Sequence, residues 1–141
     1  MRMSPRNERI NWEITNLLIP EYGNQYLDWD YEDYSWVHIK KRFKMPPGWS
    51  KNYTDLLIII PEAYPNVAPL EFYIDQHMRD SKGFSAEHYF DKASGRNPYA
   101  DNGWAWLCIH IHAWNPRTEV KRGDNLLTVC KLIYHTLSTG R

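Results

Sequence analysis

Apolar residues recur along the chain at two spacings, and the change of spacing separates predicted helices from predicted strands. Behind Ser4 and Pro5, a favoured N-cap and first helical residue, four apolar positions follow helical periodicity: Ile10, Ile14, Leu17 and Leu18. Pro20 is expected to end this helix. A second helical stripe begins near Asp124 and predicts a C-terminal helix. Its apolar residues are Leu126, Leu127, Val129, Cys130, Ile133, Tyr134 and Leu137.

Between the helices the pattern becomes that of strands. Residues 36–43 alternate, with Val37, Ile39 and Phe43 towards the core. The continuous apolar run 56–60 indicates a central strand that is covered on both faces. Residues 70–74 alternate again, after a stiff crossing, 61–69, that contains three prolines. Residues 21–33 have no clear period and are interpreted as an aromatic, acidic connector.

A further strand is predicted between Gly103 and Pro116. It follows a polar connection, residues 76–102, which is long enough to be an active-site lid or a binding loop. Side chains alternate in an extended chain. One face therefore carries Cys108, His110 and His112, and the other carries Leu107, Ile109 and Ile111. Two imidazoles on one strand face need hydrogen-bonding partners, so we predict that Cys108 is a nucleophile with histidine neighbours.

Two other interpretations of this segment remain open. A cysteine in an apolar run is often a packing residue. A metal site would need donors about 2.0–2.3 Å from the ion, whereas residues i and i+4 of a straight strand lie ~13 Å apart. Cys108, His110 and His112 could therefore not all hold one ion. Two of them could with ligands from elsewhere, but the sequence has no CxxC or HxxxH pair to supply these ligands. We expect no metal and no cofactor. Cys130 lies in the last helix's apolar stripe and is interpreted as an inert core residue.

Composition narrows the classes of function. The 141 residues predict a single domain over residues 1–141. The 17 basic and 17 acidic residues balance, so the chain lacks the charge of a general nucleic-acid binder. No targeting peptide or membrane-spanning run is evident, and two cysteines without an extracellular context predict reduced thiols. We expect a soluble, cytoplasmic protein, with some of its seven Trp and ten Tyr forming a recognition surface.

The order of these elements resembles that of ubiquitin-conjugating enzymes, over nearly the whole chain. The similarity lies in the crossing with Tyr64, Pro65 and Pro69, in Cys108 after a long loop, and in the Trp-x-Pro sequence of residues 114–116. Three further segments are similar to the prokaryotic members found in bacterial ubiquitin-like conjugation systems: 45–49, 54–61 and 123–128. The resemblance implies an α+β fold with an N-terminal helix, an antiparallel meander of about four strands, a long active-site loop and a C-terminal helix.

The resemblance also implies a function. Cys108 would accept a ubiquitin-like modifier from an activating enzyme as a thioester, and an amine of a target protein would then attack that thioester. The first helix, whose polar face carries Arg6, Arg9 and Glu13, would dock the activating enzyme. Two alternatives are a non-catalytic module of the same fold that binds a ubiquitin-like protein, and a Cys-His hydrolase of thioesters or peptides.

The chain departs from the family pattern before and after the cysteine. The family's His-Pro-Asn triplet is missing, although Asn97 and Pro98 keep part of it and Asn102 is a loose substitute. Trp114 lies closer to the cysteine than in the eukaryotic pattern. Another group must then stabilise the oxyanion that forms when an amine attacks the thioester.

His110 and His112 are the expected replacements for that asparagine. An unperturbed thiol has a pKa of about 8.5, so only a few per cent is ionised at pH 7. His110 would pair with the thiolate or accept its proton. His112, farther along the strand, would polarise the carbonyl or bind the incoming amine. Glu71 and Asp101 are further candidates for orienting these groups.

Overall fold

A five-stranded antiparallel sheet forms the centre of the computed structural model, which describes residues 3–83, 103–109, 111 and 113–139. The strands lie in the sheet in chain order, each antiparallel to its neighbours. They are β1 (Leu27–Trp29), β2 (Trp36–Lys44), β3 (Tyr53–Ile59), β4 (Glu71–Asp75) and β5 (Trp104–Cys108). The predicted α+β architecture and its meander are confirmed, with five strands where about four were predicted.

The additional strand, β1, lies within the segment that was interpreted as a connector. Leu27 pairs with Ile39 of β2 and is buried. A strand of three residues is too short to produce a recognisable alternation. The connector interpretation is therefore wrong for this part of residues 21–33.

The N-terminal helix begins as predicted but continues past Pro20. Helix α1 (Pro5–Glu13) has Ser4 as its N-cap, and the Ser4 hydroxyl accepts a hydrogen bond from the backbone N–H of Asn7. One π-helical turn (Ile14–Leu18) then leads into the short helix α2 (Ile19–Tyr22). Proline lacks an N–H and clashes with the carbonyl one turn earlier in a regular α-helix. The wider π-turn accommodates Pro20 within the first turn of α2.

The main core lies between one face of the sheet and the helices. Ile10, Ile14 and Leu18 contribute to it from the N-terminal helical segment. The apolar stripe of α3 (Leu126–Thr139) contributes Leu126, Val129, Cys130, Ile133 and Leu137. Three predicted stripe members differ, since Leu17 and Leu127 are half-buried and Tyr134 is exposed. Within the described residues, no helix combines the length and the apolar character needed to cross a membrane.

The second face of the sheet carries a smaller buried cluster. Leu57 of β3, Tyr73 of β4 and Trp106 of β5 form it, with Trp36, Ile59 and Trp104 packed around them. Leu56 and Ile58 point to the main core instead. The prediction that residues 56–60 form a strand covered on both faces is confirmed. Leu70, the first residue of the alternating segment 70–74, precedes β4 and is exposed.

Strand β5 is shorter than the predicted strand between Gly103 and Pro116. Leu107 and Ile109 are buried in the main core as predicted, and Ile111 packs against it. The pairing nevertheless ends at Cys108, because its partner Glu71 is the first residue of β4. One more backbone bond joins the N–H of Ile109 to the carbonyl of Leu70 at 2.9 Å. Beyond it lies Pro69, which has no N–H to offer a neighbouring strand.

Candidate active site

Cys108 lies at the C-terminal end of β5, on the face of the sheet opposite the main core. Leu107 and Ile109 on either side of it are buried in that core, so its thiol points to the face that also carries Trp106. The side chain is half-buried rather than enclosed, and the cysteine stands as a thiol, not in a disulfide. The Cys108 side chain is therefore partly accessible to solvent.

The residue directly across from Cys108 in the sheet is Glu71. The backbone bond from Ile109 to Leu70 connects the residues that flank this pair. That pattern makes Glu71 and Cys108 a non-hydrogen-bonded antiparallel pair, whose Cα atoms are typically ~4.5 Å apart, with the side chains on the same face. Glu71 was predicted only as a possible orienting residue, and the strand register places it beside the cysteine.

Several residues predicted for the site lie outside the described part of the chain. They are Asn97, Pro98, Asp101, Asn102, His110 and His112. Their roles therefore stay predictions. Among the residues that are described, no group of three or more His, Cys, Asp or Glu side chains is placed to hold a metal ion.

The Trp-x-Pro segment after the cysteine is fixed to the proline-rich crossing. The indole Nε1 of Trp114 donates a hydrogen bond to the Pro65 carbonyl at 2.7 Å. The Trp114 ring also lies 6.2 Å from the ring of Tyr64, centroid to centroid. The two sequence features that suggested the family resemblance are thus in direct contact, and together they hold the chain that leaves the site.

The chain then closes a compact loop between residues 115 and 124. The Asn115 N–H donates to the Asp124 carboxylate at 2.7 Å, and the Asp124 N–H donates to the Asn115 carbonyl at 3.0 Å. Gly123 lies so close to the other side of the loop that a Cβ would be 2.6 Å from the Asn115 oxygen and 2.7 Å from the Arg117 nitrogen. Glycine is required here because of this approach.

Cys130 is enclosed by the core, as predicted. It is buried in α3 among the main-core residues. Burial raises the pKa of the Cys130 thiol to about 12, and a hydrogen bond with Tyr22 opposes that increase only in part. A buried thiol that stays protonated is a poor nucleophile.

The interpretation of Glu13 as part of an exposed docking face is wrong. Its carboxylate is completely buried and accepts hydrogen bonds from the Tyr64 hydroxyl at 2.6 Å, the Leu126 N–H at 2.7 Å and the Arg9 Nε at 2.9 Å. Burial raises the pKa of Glu13 from its ordinary value, and these three bonds counteract the shift. Glu13 thus joins α1, the crossing and the start of α3.

Arg6 and Arg9 are also committed to the fold rather than free for a partner. Arg6 donates to the backbone carbonyls of Pro61 at 3.0 Å and Tyr34 at 3.0 Å. Arg9 donates to the Arg117 carbonyl at 2.7 Å in addition to Glu13. Both guanidinium groups are therefore engaged by backbone carbonyls of the fold. The prediction that they are freely exposed docking charges is corrected accordingly.

An open cleft nevertheless borders the N-terminal helix. Its volume is about 820 Å³, and the exposed Trp12 lies on its wall. The other lining residues are Pro5, Arg6, Glu8, Arg9, Tyr64, Pro65, Asn66, Thr118, Glu119, Val120 and Lys121. The cleft therefore joins α1, the crossing and the loop that follows the cysteine, with an aromatic ring at its surface.

Glu13 was expected only on a docking face, Asp124 only near the start of a helix, and Trp12 had no predicted role. The sequence contains a local indication that Glu13 is buried, since it lies three residues after Ile10 and next to Ile14 on the apolar stripe. A charged residue on a buried stripe implies a buried partner. Asp124 and Trp12 had no comparable signal, because their positions depend on contacts between distant segments.

Comparison with known proteins gives a family match. The family model described as Prokaryotic E2 family E matches residues 20–140. No curated protein and no solved structure matches the chain. The matched region includes the crossing, Cys108, the Trp-x-Pro segment and α3, which are the parts described above as forming and supporting the candidate site. The chain belongs to the prokaryotic E2 family E.

Proposed function

We propose that this chain is a conjugating transferase that carries a ubiquitin-like modifier as a thioester on Cys108 and passes it to an amine. Membership of a prokaryotic E2 family supports a conjugating function in general terms. The observation that carries the proposal to Cys108 is the contrast between the two thiols. Cys108 is half-buried at the end of β5, whereas Cys130 is 3% exposed and stays protonated at neutral pH. Of the two, Cys108 is the thiol that a protein-bound carbonyl can reach.

The proposed reaction has two transfers. In the first, the Cys108 thiolate attacks the carbonyl carbon of a modifier thioester on the activating enzyme, and the thiolate of that enzyme leaves. In the second, a neutral amine attacks the carbonyl carbon of the Cys108 thioester. The carbon–sulfur bond breaks, Cys108 leaves as a thiolate, and the nitrogen loses a proton as the amide forms.

His110 and His112 are proposed to assist these two transfers at different points. In an extended chain His110 would lie ~7 Å from Cys108 along the strand, so that its ring could accept the thiol proton or pair with the thiolate. His112 would lie ~13 Å along, where it could meet the thioester carbonyl or the incoming amine. A donor to the oxyanion is required because the asparagine of the family pattern is missing.

The cleft beside α1 is the proposed docking site for the activating enzyme. Its wall combines the exposed Trp12 with Pro65 and Val120. Aromatic residues on an accessible concave surface are typical anchors of protein–protein interfaces. The docking role of the N-terminal helix is therefore kept in the proposal, but it is assigned to Trp12 rather than to Arg6 and Arg9.

A charging assay tests the proposed function. The purified chain is incubated with ATP, a bacterial ubiquitin-like modifier and the activating enzyme of that modifier, and the products are separated with and without a reducing agent. We expect an adduct that the reducing agent removes. Cys108→Ser should give a more persistent oxyester, because an alkoxide leaves less readily than a thiolate, and Cys130→Ser should charge like the wild type.

The other results separate the alternatives. Stable binding of the modifier without any adduct would favour a non-catalytic binding module. Cleavage of a modifier fusion or a thioester, with release of the free carboxylate, would favour a hydrolase. An adduct that persists in Cys108→Ser as a reducible thioester but disappears in Cys130→Ser would contradict the assignment of the site.

A further inference from the structure

The Glu71–Cys108 pair has the same geometry as the pair two residues along the same strands. Tyr73 and Trp106 are also opposite each other on β4 and β5, and their rings stack with centroids 6.2 Å apart. Successive pairs in an antiparallel ladder alternate between two types, so both pairs are of the close, non-hydrogen-bonded type. The carboxylate of Glu71 and the thiol of Cys108 therefore occupy neighbouring positions on one face.

Glu71 differs from the other carboxylates of this face in having no hydrogen-bonding or ion-pair partner within the part of the chain that the structure describes. Asp55 bonds His38 at 3.0 Å, and Asp75 bonds Lys51 at 3.1 Å. Across residues 3–83 and the other described segments, no hydrogen bond or ion pair engages the Glu71 side chain. A half-buried carboxylate that no cation of the described residues neutralises is available to a cation from outside.

We infer that Glu71 receives the amine that attacks the Cys108 thioester, an inference that rests on the proposed function. A lysine amine is almost entirely an ammonium ion at neutral pH, since its ordinary pKa is about 10.4. The Glu71 carboxylate pairs with this ammonium beside the thioester. Such pairing concentrates the nucleophile and orients it towards the carbonyl carbon.

The Glu71 carboxylate also accepts a proton during the transfer to the amine. The bound ammonium gives up one proton to solvent, and the neutral nitrogen attacks the thioester carbonyl. The tetrahedral intermediate then carries a positive nitrogen and a negative oxygen. Glu71 accepts a proton from that nitrogen, the carbon–sulfur bond breaks, and Cys108 leaves as a thiolate. Glu71 returns its proton to solvent, and the products are an amide and the free enzyme.

The same carboxylate has the opposite effect before charging. A negative group a few ångströms from the thiol disfavours the thiolate, by an amount that depends on solvent screening. Glu71→Gln should therefore make Cys108 react two- to fivefold or so faster with iodoacetamide near neutral pH, while it slows transfer to lysine. A residue that only supports the fold would not change the two reactions in opposite directions.

The test uses a small thioester, so that it does not require the modifier. Acetylglycyl mercaptoethanesulfonate is added to the wild type, Glu71→Gln, Glu71→Asp and Asp75→Asn, and acylation of Cys108 is followed by the mass of the intact protein. The acylated proteins are then discharged with lysine or with hydroxylamine, which is uncharged near neutral pH. Asp75→Asn is the matched control, because Asp75 lies on the same face of β4, ~13 Å from Glu71.

We expect the rate of discharge to lysine to fall about 10- to 100-fold in Glu71→Gln, which is at or below the rate effect usual for a general acid or base. The rate of discharge to hydroxylamine should be nearly unchanged. Glu71→Asp should recover part of the lysine rate, and Asp75→Asn should match the wild type. Equal losses with both nucleophiles, or no loss with lysine, would overturn the role of Glu71. A wild-type Cys108 that takes no acyl group would overturn the proposed function first, and the inference with it.

Discussion

The carboxylate of Glu13 accepts a hydrogen bond from the backbone N–H of Leu126 at 2.7 Å, so a side chain of α1 caps the first residue of α3. The first N–H groups of a helix have no partner within it, and a carboxylate there also interacts favourably with the helix dipole. The same carboxylate binds the Tyr64 hydroxyl at 2.6 Å. Glu13 therefore connects three segments that surround the candidate site.

Replacement of Glu13 should destabilise the fold strongly. Glu13→Ala leaves Arg9, the Tyr64 hydroxyl and the Leu126 N–H without their buried acceptor, and we expect a loss of about 3–5 kcal/mol in the free energy of unfolding. Tyr64→Phe removes a single donor, and we expect about 1 kcal/mol. Urea denaturation of both variants measures these losses. A Glu13→Ala loss no greater than that of Tyr64→Phe would show that the carboxylate is not the central connection.

The stability of the turn between β1 and β2 should depend on acid pH through Asp30. Hydrogen bonds from the Ser35 hydroxyl, above all, and from the N–H groups of Asp33 and Glu32 lower the pKa of Asp30 to about 2. Its ordinary value is about 3.9. Because the folded pKa is the lower one, the stabilisation is present above about pH 4 and is lost as the pH falls towards 2.

Asp30→Asn tests this dependence. The variant should have a lower Tm than the wild type near neutral pH, and its Tm should fall less between about pH 5 and pH 2.5. Thermal unfolding followed by circular dichroism gives both values. Glu32→Gln is the control, since it removes an exposed neighbouring carboxylate and keeps the Asp30 bonds. Parallel loss of Tm in Asp30→Asn and wild type over that range would contradict the assignment.

The elements with repeated patterns could be predicted from the sequence. The stripe of Ile10, Ile14 and Leu18 and the run around Leu56 and Ile58 are buried as expected. Each contains enough residues to establish a period, and the burial of one face follows directly from that period. The position of Cys108 on the face opposite Leu107 and Ile109 was predicted in the same way, whereas its role as a nucleophile stays a prediction.

Features that depend on distant contacts could not be predicted. Glu13 is bonded by Tyr64, which lies 51 residues away in sequence, and by Leu126, which lies 113 residues away. The position of Glu71 opposite Cys108 depends on the register of β4 and β5, and a shift of one residue would move every side chain to the other face. Local patterns define which face of an element is buried, but not which groups meet across it.

The two histidines should affect different steps of the proposed reaction. His110→Ala should slow formation of the Cys108 adduct, because the thiol loses the imidazole that is proposed to accept its proton. His112→Ala should leave formation unchanged and slow discharge to an amine. An effect of roughly 10²-fold is expected at the affected step. Single-turnover charging and discharge, measured separately, give the two rates. Changes in thermal stability alone, with both rates unaltered, would make the histidines structural and would favour the binding-module alternative.

The cleft along α1 should be probed through Trp12 rather than through the arginines. Trp12 is 38% exposed and lines the cleft, and its removal spares the bonds that Arg6 and Arg9 make to backbone carbonyls. Trp12→Ala should slow charging by the activating enzyme about tenfold or more, as for an interface anchor, with little change in Tm. Tyr31→Ala is the matched control, since Tyr31 is a 65% exposed aromatic residue that does not line this cleft.

Charge reversal of Arg9 should change the charging rate and the Tm together, unlike Trp12→Ala and Tyr31→Ala. Arg9→Glu places a second carboxylate beside the buried Glu13 and removes the donor to the Arg117 carbonyl. We expect a fall in Tm together with slower charging, because an unpaired buried charge is destabilising. The comparison separates docking from folding: Trp12→Ala should reduce the charging rate at constant Tm, and Arg9→Glu should reduce both. If Trp12→Ala charges as fast as Tyr31→Ala, the activating enzyme does not dock through this cleft.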